Sequence, residues 1–264
     1  MAAEASHAPA YAELAGVEKI YASPRGPVHA LQDIDLAVGE REFLSVLGPS
    51  GCGKSTLLKC VAGLERVSGG AVTVKGEPVT APPDDMGVVF QRDILLDWRT
   101  ILDNVLITAE FRRLDRRAYM DRARDLLALY GLSGFEDRHP WELSGGMRQR
   151  AAICRALLTD PELLLMDEPF GALDAMTRDD LNVELQRIWT ESRKTVLFIT
   201  HSITEAVYLS DRVVVMARNP GRIAEVIDID LPRPRSLALR ETAPFAAYTS
   251  HIRETFTRLG GLHE

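Results

Sequence analysis

The sequence predicts an α/β fold with a buried, mostly parallel core sheet and a helical segment inserted into it. Short strand-like runs, mostly aliphatic and typical of strands buried on both faces, recur along the chain. They lie at residues 31–38, 43–47, 71–74, 87–90, 163–166, 196–200 and 212–216. Between residues 102 and 158 the pattern is helical instead, and apolar side chains at helical spacing from Met120 end at the stop signal Gly131.

The composition excludes several classes of protein. With 46% hydrophobic and 26% charged residues, the 264-residue chain can bury a substantial core, which argues against a disordered or fibrous protein. The formal net charge of -7 argues against a nucleic-acid-binding protein, because such proteins usually carry a basic face, so no nucleic-acid partner is expected. Three cysteines without paired spacing indicate free thiols in a reducing compartment.

The chain has no apolar run long enough to cross a bilayer, and residues 1–10 lack the apolar stretch of a secretory signal. We therefore expect a cytoplasmic protein that a partner would hold at any membrane it serves. Residues 1–10 are predicted to form a flexible tail. Residues 11–230 are the predicted main domain, with the helical insertion at about 95–158, and residues 231–264 are a C-terminal tail. Prolines break regular structure where that tail begins, and a helix is predicted from Pro244.

A glycine-rich loop lies between the run at 43–47 and a predicted helix at 56–62. It matches the whole Walker A pattern, with the residues Gly48, Pro49, Ser50, Gly51, Cys52, Gly53, Lys54, Ser55 and Thr56. Glycines let backbone N–H groups turn toward phosphate oxygens, and the helix N-terminus adds favourable partial charge. Lys54 would reach the β- and γ-phosphates of a nucleotide, and the Ser55 hydroxyl would bind Mg²⁺, which prefers oxygen ligands.

Cys52 lies inside this loop, beside the N-terminus of the predicted helix. A thiol in that position could have a lowered pKa and unusual reactivity. The simpler interpretation is a small side chain that fits the loop, and we favour it.

A pair of acidic residues follows the aliphatic run at 163–166. Asp167 and Glu168 stand at the end of a predicted buried strand and before Pro169, and open α/β sheets bind ligands at the carboxyl ends of their strands. Asp167 would hold Mg²⁺, directly or through water, and Glu168 would polarise the water that attacks the γ-phosphate. Acids after a strand are also common turn residues, so this pair alone is weak evidence for a catalytic site. The phosphate loop in the same chain makes the evidence strong.

The segment that identifies a family begins at Leu143 and reads Leu-Ser-Gly-Gly-Met-Arg-Gln. It resembles the signature sequence of the ATP-binding cassette (ABC) family, precedes a predicted helix at 149–159, and belongs to a resemblance that covers residues 17–230. The resemblance implies a P-loop ATPase cassette that binds ATP and Mg²⁺, with an antiparallel β portion beside the mostly parallel core sheet. It also implies a second phosphate-binding surface, which would cap the γ-phosphate of ATP held by a second copy of the chain. That surface is Ser144, Gly145 and Gly146.

Four further positions match the family's motifs in their order along the chain. Gln91 resembles the glutamine that senses Mg²⁺ and the attacking water. Asp174 ends a segment from Gly171 that resembles the D-loop, with glycine where serine is common. His201 resembles the switch histidine that contacts the γ-phosphate, and Tyr21 resembles the aromatic residue that stacks on adenine. The resemblance thus implies a catalytic role for Gln91 and His201, in addition to Glu168.

The resemblance narrows to importers of the nitrate, sulfonate and taurine type. Residues 91–105 and 231–240 are similar to the same parts of those cassettes, with Asp97 where they usually have proline. No membrane-spanning segment is fused to the cassette, and the chain lacks room for the C-terminal regulatory domain of sugar-import cassettes. The implied function is ATP hydrolysis that energises uptake of a small anionic solute from the cytoplasmic face of the cell membrane. The implied partners are a second copy, integral-membrane permease subunits and, indirectly, an external solute-binding protein.

Two other functions stay open at this point. The chain could be a stand-alone soluble ABC ATPase that acts on a partner outside transport, or the motor of an exporter whose membrane subunits are separate chains. The sequence also allows two interpretations of the Trp98 side chain: it anchors a helix of a membrane subunit, or it packs inside the helical insertion.

Overall fold

A computed structural model of the chain describes residues 10–24, 26–171 and 173–260. The predicted N-terminal tail lies outside these residues, except for Ala10, which begins the first strand. The strands are β1 (Ala10–Tyr21), β2 (Val28–Gly39), β3 (Phe43–Leu47), β4 (Gly69–Val74), β5 (Glu77–Pro78), β6 (Met86–Val89), β7 (Leu163–Asp167), β8 (Thr195–Ile199), β9 (Arg212–Ala217) and β10 (Arg222–Asp228). The α-helices are α1 (Lys54–Val61), α2 (Ile101–Phe111), α3 (Met120–Leu129), α4 (Gly145–Leu157), α5 (Ala175–Ser192), α6 (Ile203–Leu209) and α7 (Ala243–Arg258). Within the described ranges, no helix combines the length and the apolar content needed to span a bilayer.

Six strands form the central sheet, in the order β10-β9-β3-β8-β7-β6. Every neighbouring pair is parallel except β9 and β10 at one edge, which are antiparallel. The carboxyl ends of β3, β6, β7 and β8 therefore meet at one edge of the sheet, and the segments that follow them carry predicted site residues. The prediction of a mostly parallel core sheet is confirmed.

A second sheet, entirely antiparallel, supplies the β portion that the family resemblance implied. Its order is β2-β1-β4-β5, with β1 paired to both β2 and β4. The pairing of β1 with both neighbours is irregular around Gly16, which has φ 54°. This sheet packs over α1 and one face of the central sheet.

The seven predicted strands are confirmed to within a few residues, whereas β1, β5 and β10 were not predicted. In β1, buried and exposed side chains are mixed, and β10 is exposed along most of its length because it forms the edge of its sheet. Strands with one face toward solvent do not give continuous aliphatic runs. Strand β2 is also partly exposed, yet its alternating apolar residues were recognised as a strand at 31–38. Strand β5 has only two residues.

The central sheet separates two hydrophobic cores, and β3 contributes to both. Phe43 and Leu47 pack into the core beneath the helices, whereas Leu44 and Val46 pack into the core shared with α1 and the antiparallel sheet. All four side chains are buried. Burial on both faces explains why β3 reads as an apolar run, interrupted by Ser45, rather than as an alternating one.

Helices α2, α3 and α4 lie in the range predicted for the helical insertion, between β6 and β7. Helix α4 begins at Gly145, so the predicted start at residue 149 was wrong. Ser144 caps the helix and accepts a hydrogen bond from the backbone N–H of Met147 at 3.3 Å. A good N-cap residue lets two glycines occupy a first helical turn that composition alone would assign to a loop.

A buried arginine anchors the segment that follows β10. Arg235 is 3% exposed, and its guanidinium donates hydrogen bonds to the carbonyl oxygens of Val207, Tyr208 and Ser210 at 2.8–3.0 Å. These carbonyls lie at the C-terminal end of α6, where a helix leaves its carbonyl oxygens without intrahelical partners. Further along, α7 begins one residue before Pro244, close to the predicted start.

Candidate active site

Two glycines fix the path of the loop between β3 and α1. Gly53 caps the N-terminus of α1 with φ 96°, and a Cβ atom there would lie 2.7 Å from the carbonyl oxygen of Ala30. A Cβ atom at Gly48 would lie 2.5 Å from Cys52 Sγ and 3.0 Å from the carbonyl oxygen of Met216. Close packing at both positions holds a loop whose backbone N–H groups, together with the helix N-terminus, suit phosphate oxygens.

The loop borders an open cleft of about 440 Å³. The cleft is lined by Val28, His29, Ala30, Ser50, Gly51, Gly53, Lys54, Ser55, Thr56, Gln91, Glu168, His201, Asn219 and Gly221. The buried Lys54 ammonium donates hydrogen bonds to the carbonyl oxygens of Gly48 at 2.8 Å and Pro49 at 3.3 Å. A positive charge is therefore held at the loop where the β- and γ-phosphates are predicted to bind.

Ser55 and Asp167 meet beside the same loop. Ser55 Oγ donates a hydrogen bond to Asp167 Oδ1 at 3.1 Å. Burial raises the pKa of Asp167, and the hydrogen bond from Ser55 opposes that shift. A hydroxyl and a carboxylate at this distance, next to a loop that is predicted to bind phosphate, fit the oxygen-ligand chemistry of Mg²⁺.

Glu168 lies between two polar side chains at the carboxyl edge of the central sheet. Gln91 Nε2 donates a hydrogen bond to Glu168 Oε2 at 3.1 Å, and His201 Nε2 lies 2.6 Å from Glu168 Oε1. The Glu168 backbone is left-handed, with φ 47°, and its N–H donates to the carbonyl oxygen of Ile199 at 2.9 Å. The three residues predicted to be catalytic follow β6, β7 and β8, which are neighbours in the sheet, so the fold brings them together.

Tyr21 lies next to this cleft without lining it. It is the last residue of β1 and pairs with Val28, a residue of the cleft wall. The Lys19 ammonium lies 4.7 Å from the centroid of its ring, so one face of the tyrosine has a cationic neighbour. Stacking of Tyr21 on adenine stays a prediction.

The signature residues lie apart from the phosphate loop of the same chain. Ser144 caps α4, and Gly145 lines a different cleft of about 330 Å³ together with Gln91 and Leu173. None of the three signature residues Ser144, Gly145 and Gly146 lines the cleft around Lys54. A single chain therefore does not bring its two predicted phosphate-binding surfaces together.

The predicted D-loop runs past Glu168 into α5. The N–H of Gly171 donates to the carbonyl oxygen of Glu168 at 3.1 Å, and a Cβ atom at Gly171 would meet that oxygen only at 3.4 Å, so serine would also fit. Asp174 caps α5 by accepting a hydrogen bond from the backbone N–H of Thr177 at 3.0 Å. This backbone hydrogen bond lowers the pKa of Asp174. Ala172 lies outside the described residues.

Comparison with known proteins identifies the family. A family model described as ABC transporter matches residues 31–171, which is more than half of the chain. The chain belongs to the ABC transporter family. It is 50% identical to the taurine import ATP-binding protein of Rhizobium johnstonii over 206 residues, 78% of this chain and 79% of that protein. It is 42% identical to the aliphatic sulfonates import ATP-binding protein of Bacillus cereus, over 94% of this chain and 96% of that protein.

A solved ABC cassette shares the architecture. It is a dimer in a post-hydrolysis state bound to ADP and Pi, with a TM-score of 0.74 and 30% sequence identity to this chain. The match covers 84% of this chain and 100% of that one. The prediction of an ABC cassette fold is confirmed.

The cleft of this ABC cassette includes residues that sequence analysis missed. His29, Asn219 and Gly221 line it, and a Cβ atom at Gly221 would lie 2.2 Å from the carbonyl oxygen of Cys52. The β9–β10 turn therefore packs directly on the phosphate loop. The turn signal Asn-Pro-Gly at 219–221 was visible in the sequence, but its contact with a loop far away in the chain was not.

The structure decides between the two interpretations of Cys52. The side chain is fully buried, and burial raises the pKa of its thiol. A raised pKa lowers the thiolate fraction at neutral pH, which is the opposite of an activated cysteine. Cys52 is a small side chain that fits the loop.

The structure also decides how Trp98 is packed in the ABC cassette. Its side chain is 74% exposed, so the interpretation that it packs inside the helical insertion was wrong. The nearby Ile94 is also exposed. The segment after Gln91 thus presents large apolar side chains on the surface.

Proposed function

We propose that this ABC cassette is the ATP-binding and ATP-hydrolysing subunit of an importer of a small solute. The proposal rests on one observation: Gln91, Glu168 and His201 line the same cleft as Lys54. A phosphate-binding lysine and a carboxylate held by two polar neighbours are the groups that phosphoryl transfer to water requires.

The chain's own residues bind and position the reactants. Lys54 and the backbone N–H groups of the phosphate loop bind the β- and γ-phosphates of ATP. Glu168 accepts a hydrogen bond from the attacking water and polarises it, while Gln91 and His201 hold the carboxylate in place. His201 also contacts the γ-phosphate, and Tyr21 stacks on the adenine ring.

Mg²⁺ would be held by Ser55, Asp167 and Gln91. The ion supplies positive charge that offsets the negative charge of the phosphates. The hydrogen bond between Ser55 and Asp167 supports this assignment, because it places two oxygen donors side by side.

Two copies of the cassette would form the complete site. The signature residues and Asp174 lie outside the Lys54 cleft of their own chain, so they are available to a second copy. Ser144, Gly145 and Gly146 at the N-terminus of α4 would cap the γ-phosphate held by that copy. The dimeric solved cassette supports this arrangement.

The importer assignment rests on the relatives. One relative is an import ATP-binding protein for taurine, and the other is one for aliphatic sulfonates. By analogy we propose an anion of the nitrate, sulfonate or taurine type as solute, and a peripheral position on the cytoplasmic face of the inner membrane. Permease subunits would dock at the segment that carries Trp98, and an external solute-binding protein would deliver the solute to them.

The Glu168→Gln variant tests the chemistry. We expect it to bind ATP with near-normal affinity and to hydrolyse it at least ~100-fold more slowly, because the amide cannot accept a proton from water. It should also remain as a dimer in the presence of ATP, as measured by size-exclusion chromatography with light scattering. Near-normal turnover of the purified variant would remove Glu168 from this role. Lys54→Ala serves as the comparison, since it should lose ATP binding itself.

Gentle extraction of the tagged subunit from its native membranes tests the transport role. Co-purification of a multi-helix permease supports it, and a solute-binding protein in the same complex would establish import. A soluble or nucleic-acid partner, with no membrane subunit in several mild detergents, would contradict the transport role and leave the ATPase activity intact.

A further inference from the structure

A cleft of about 480 Å³ beside Glu168 contains two charged residues to which the mechanism above gives no role. They are Arg178, in the first turn of α5, and Glu205, in the first turn of α6. Both line the cleft together with Glu168 and His201. The Glu205 carboxylate is 6% exposed, so its charge needs a partner inside the protein.

Glu205 organises the turn that carries His201. Its Oε2 accepts a hydrogen bond from the hydroxyl of Thr200, and Thr200 Oγ1 accepts one from the backbone N–H of Ser202 at 3.0 Å. Ser202 Oγ in turn accepts a hydrogen bond from the Glu205 backbone N–H at 3.2 Å. Thr200 and Ser202, on either side of His201, are therefore connected by hydrogen bonds to each other and to Glu205.

Arg178 connects this turn to the D-loop. Its Nη2 donates a hydrogen bond to the carbonyl oxygen of Leu173 at 2.9 Å, and its Nε lies 3.5 Å from Glu205 Oε1. Among the described residues Nε makes no hydrogen bond, so charge attraction holds the pair. One guanidinium thus contacts both the segment next to Asp174 and the carboxylate that organises the His201 turn.

We propose that Arg178 and Glu205 are positioning residues that hold His201 at hydrogen-bonding distance from Glu168. The D-loop and the turn at 200–202 belong to different elements, and this ion pair joins them at the catalytic edge of the sheet. The D-loop is also the segment that would meet the second copy, so a shift there on dimer formation reaches His201 through Arg178. The inference rests on the proposed ATPase function.

The test compares ATP hydrolysis by the purified full-length chain and its variants. Arg178→Ala should lower kcat about tenfold and leave KM for ATP within about twofold, because a small displacement of a catalytic group lowers the rate more than it weakens binding. Arg178→Lys should recover part of the loss, because it keeps the charge without the forked geometry. Arg187→Ala on the same helix is the control and should leave both constants unchanged, since among the described residues Arg187 forms ion pairs with Glu184 and Glu191 of α5 and lines neither cleft beside Glu168.

Glu205→Gln keeps the shape of the side chain and removes its charge. It should lower kcat as Arg178→Ala does, and the double variant should be no slower than either single variant, because the two residues act through one contact. If Arg178→Ala does not fold, Arg178→Lys and Glu205→Gln decide the question, each measured against the thermal stability of the Arg187→Ala control.

Two results would overturn the inference. One is kcat within twofold of the parent in a folded Arg178→Ala or, if that variant does not fold, in Glu205→Gln; the other is additive losses in the double variant. The proposed function fails separately. If the parent chain does not hydrolyse ATP, the ATPase assignment fails; if it does and Arg178→Ala matches it, only the positioning role fails.

Discussion

At the scale of single residues, burial sets the chemistry of the side chains. The three cysteines are all buried, and burial raises the pKa of Cys52 and Cys154 and raises that of Cys60 to about 11. Asp167 shows the same effect, yet its hydrogen bond from Ser55 opposes it. The loop that is predicted to bind phosphate thus contains a thiol that is shielded from solvent, and Lys54 is its charged side chain.

The thiols should therefore be unreactive in the folded protein. We expect iodoacetamide at pH 7.5 to modify the native chain far more slowly than the urea-unfolded chain, because raised pKa values keep the thiols protonated. Labelling of the native form should increase only as the pH rises above the ordinary thiol pKa of about 8.5. Rapid labelling of Cys52 in native protein at neutral pH, read by peptide mass spectrometry, would contradict this.

At the scale of elements, one buried amide shapes the segment that presents Trp98. Asn104 in α2 is fully buried, and its Oδ1 accepts a hydrogen bond from the Leu96 N–H at 2.6 Å. Its two Nδ2–H groups face three carbonyl oxygens, those of Leu96, Arg99 and Thr100, at N···O distances of 2.9–3.2 Å. The irregular backbone before α2 is satisfied by this side chain, so the exposed tryptophan projects from a fixed support.

Asn104→Ala should loosen that support. The Leu96 N–H and the Arg99 carbonyl oxygen lose their amide partner, whereas the Leu96 and Thr100 carbonyl oxygens keep the backbone N–H groups of Arg99 and Asn104. We therefore expect the free energy of unfolding to fall by about 1–3 kcal/mol. Urea unfolding measures the loss, and hydrogen exchange at residues 96–100 should become faster. Asp97→Ala, a change at an exposed position in the same segment, is the control. Equal urea midpoints for the two variants would show that Asn104 is dispensable.

The buried Arg235 plays a similar part for the end of α6. Replacing it with methionine keeps much of the volume but leaves the carbonyl oxygens of Val207, Tyr208 and Ser210 without donors. We expect a loss of about 3 kcal/mol or more in the free energy of unfolding. Arg222 is exposed, so Arg222→Met is the matched control and should change the free energy of unfolding by less than about 0.5 kcal/mol. Denaturant unfolding of the two variants measures the difference in stability, and similar midpoints would refute the anchoring role of Arg235.

At the scale of the whole molecule, the two predicted phosphate-binding surfaces lie in different parts of the fold. The Lys54 cleft lies at the carboxyl edge of the central sheet, whereas Gly145 begins a helix of the insertion. A change at the signature should therefore leave binding of ATP to one chain intact and affect only pairing of two chains. This separation allows binding and dimer formation to be measured independently.

Gly145→Asp is the variant that uses this separation. It adds a negative charge where the γ-phosphate bound by the second copy is predicted to lie, and the position has open space around it, with the nearest atom to an added Cβ at 3.9 Å. In the Glu168→Gln background we expect unchanged ATP affinity and loss of the ATP-dependent dimer, because like charges repel. Gly145→Asn is the neutral control. A dimer that persists with aspartate would show that the signature does not face the nucleotide.

The sequence by itself determined the motifs that consist of consecutive residues. The phosphate loop, the acids at the end of β7 and the signature are contiguous segments, and each was located beside its strand or helix, although α4 begins earlier than predicted. Strands buried on both faces were also recognisable, since burial demands continuous apolar runs. Among the partly exposed strands, β2 was recognised but β1 and β10 were missed, because solvent does not impose a continuous apolar run.

Only the tertiary structure decided which distant residues meet. Glu168 contacts Gln91 and His201, and Arg178 contacts Glu205. Arg235 donates a hydrogen bond to the carbonyl oxygen of Ser210 at the end of α6. All of these contacts join residues far apart in the chain. The same holds for the exposure of Trp98 and the burial of Cys52. These contacts follow from the order of strands in the sheet and from packing between elements. Neither is encoded in any single segment, because each depends on the shape of all the elements together.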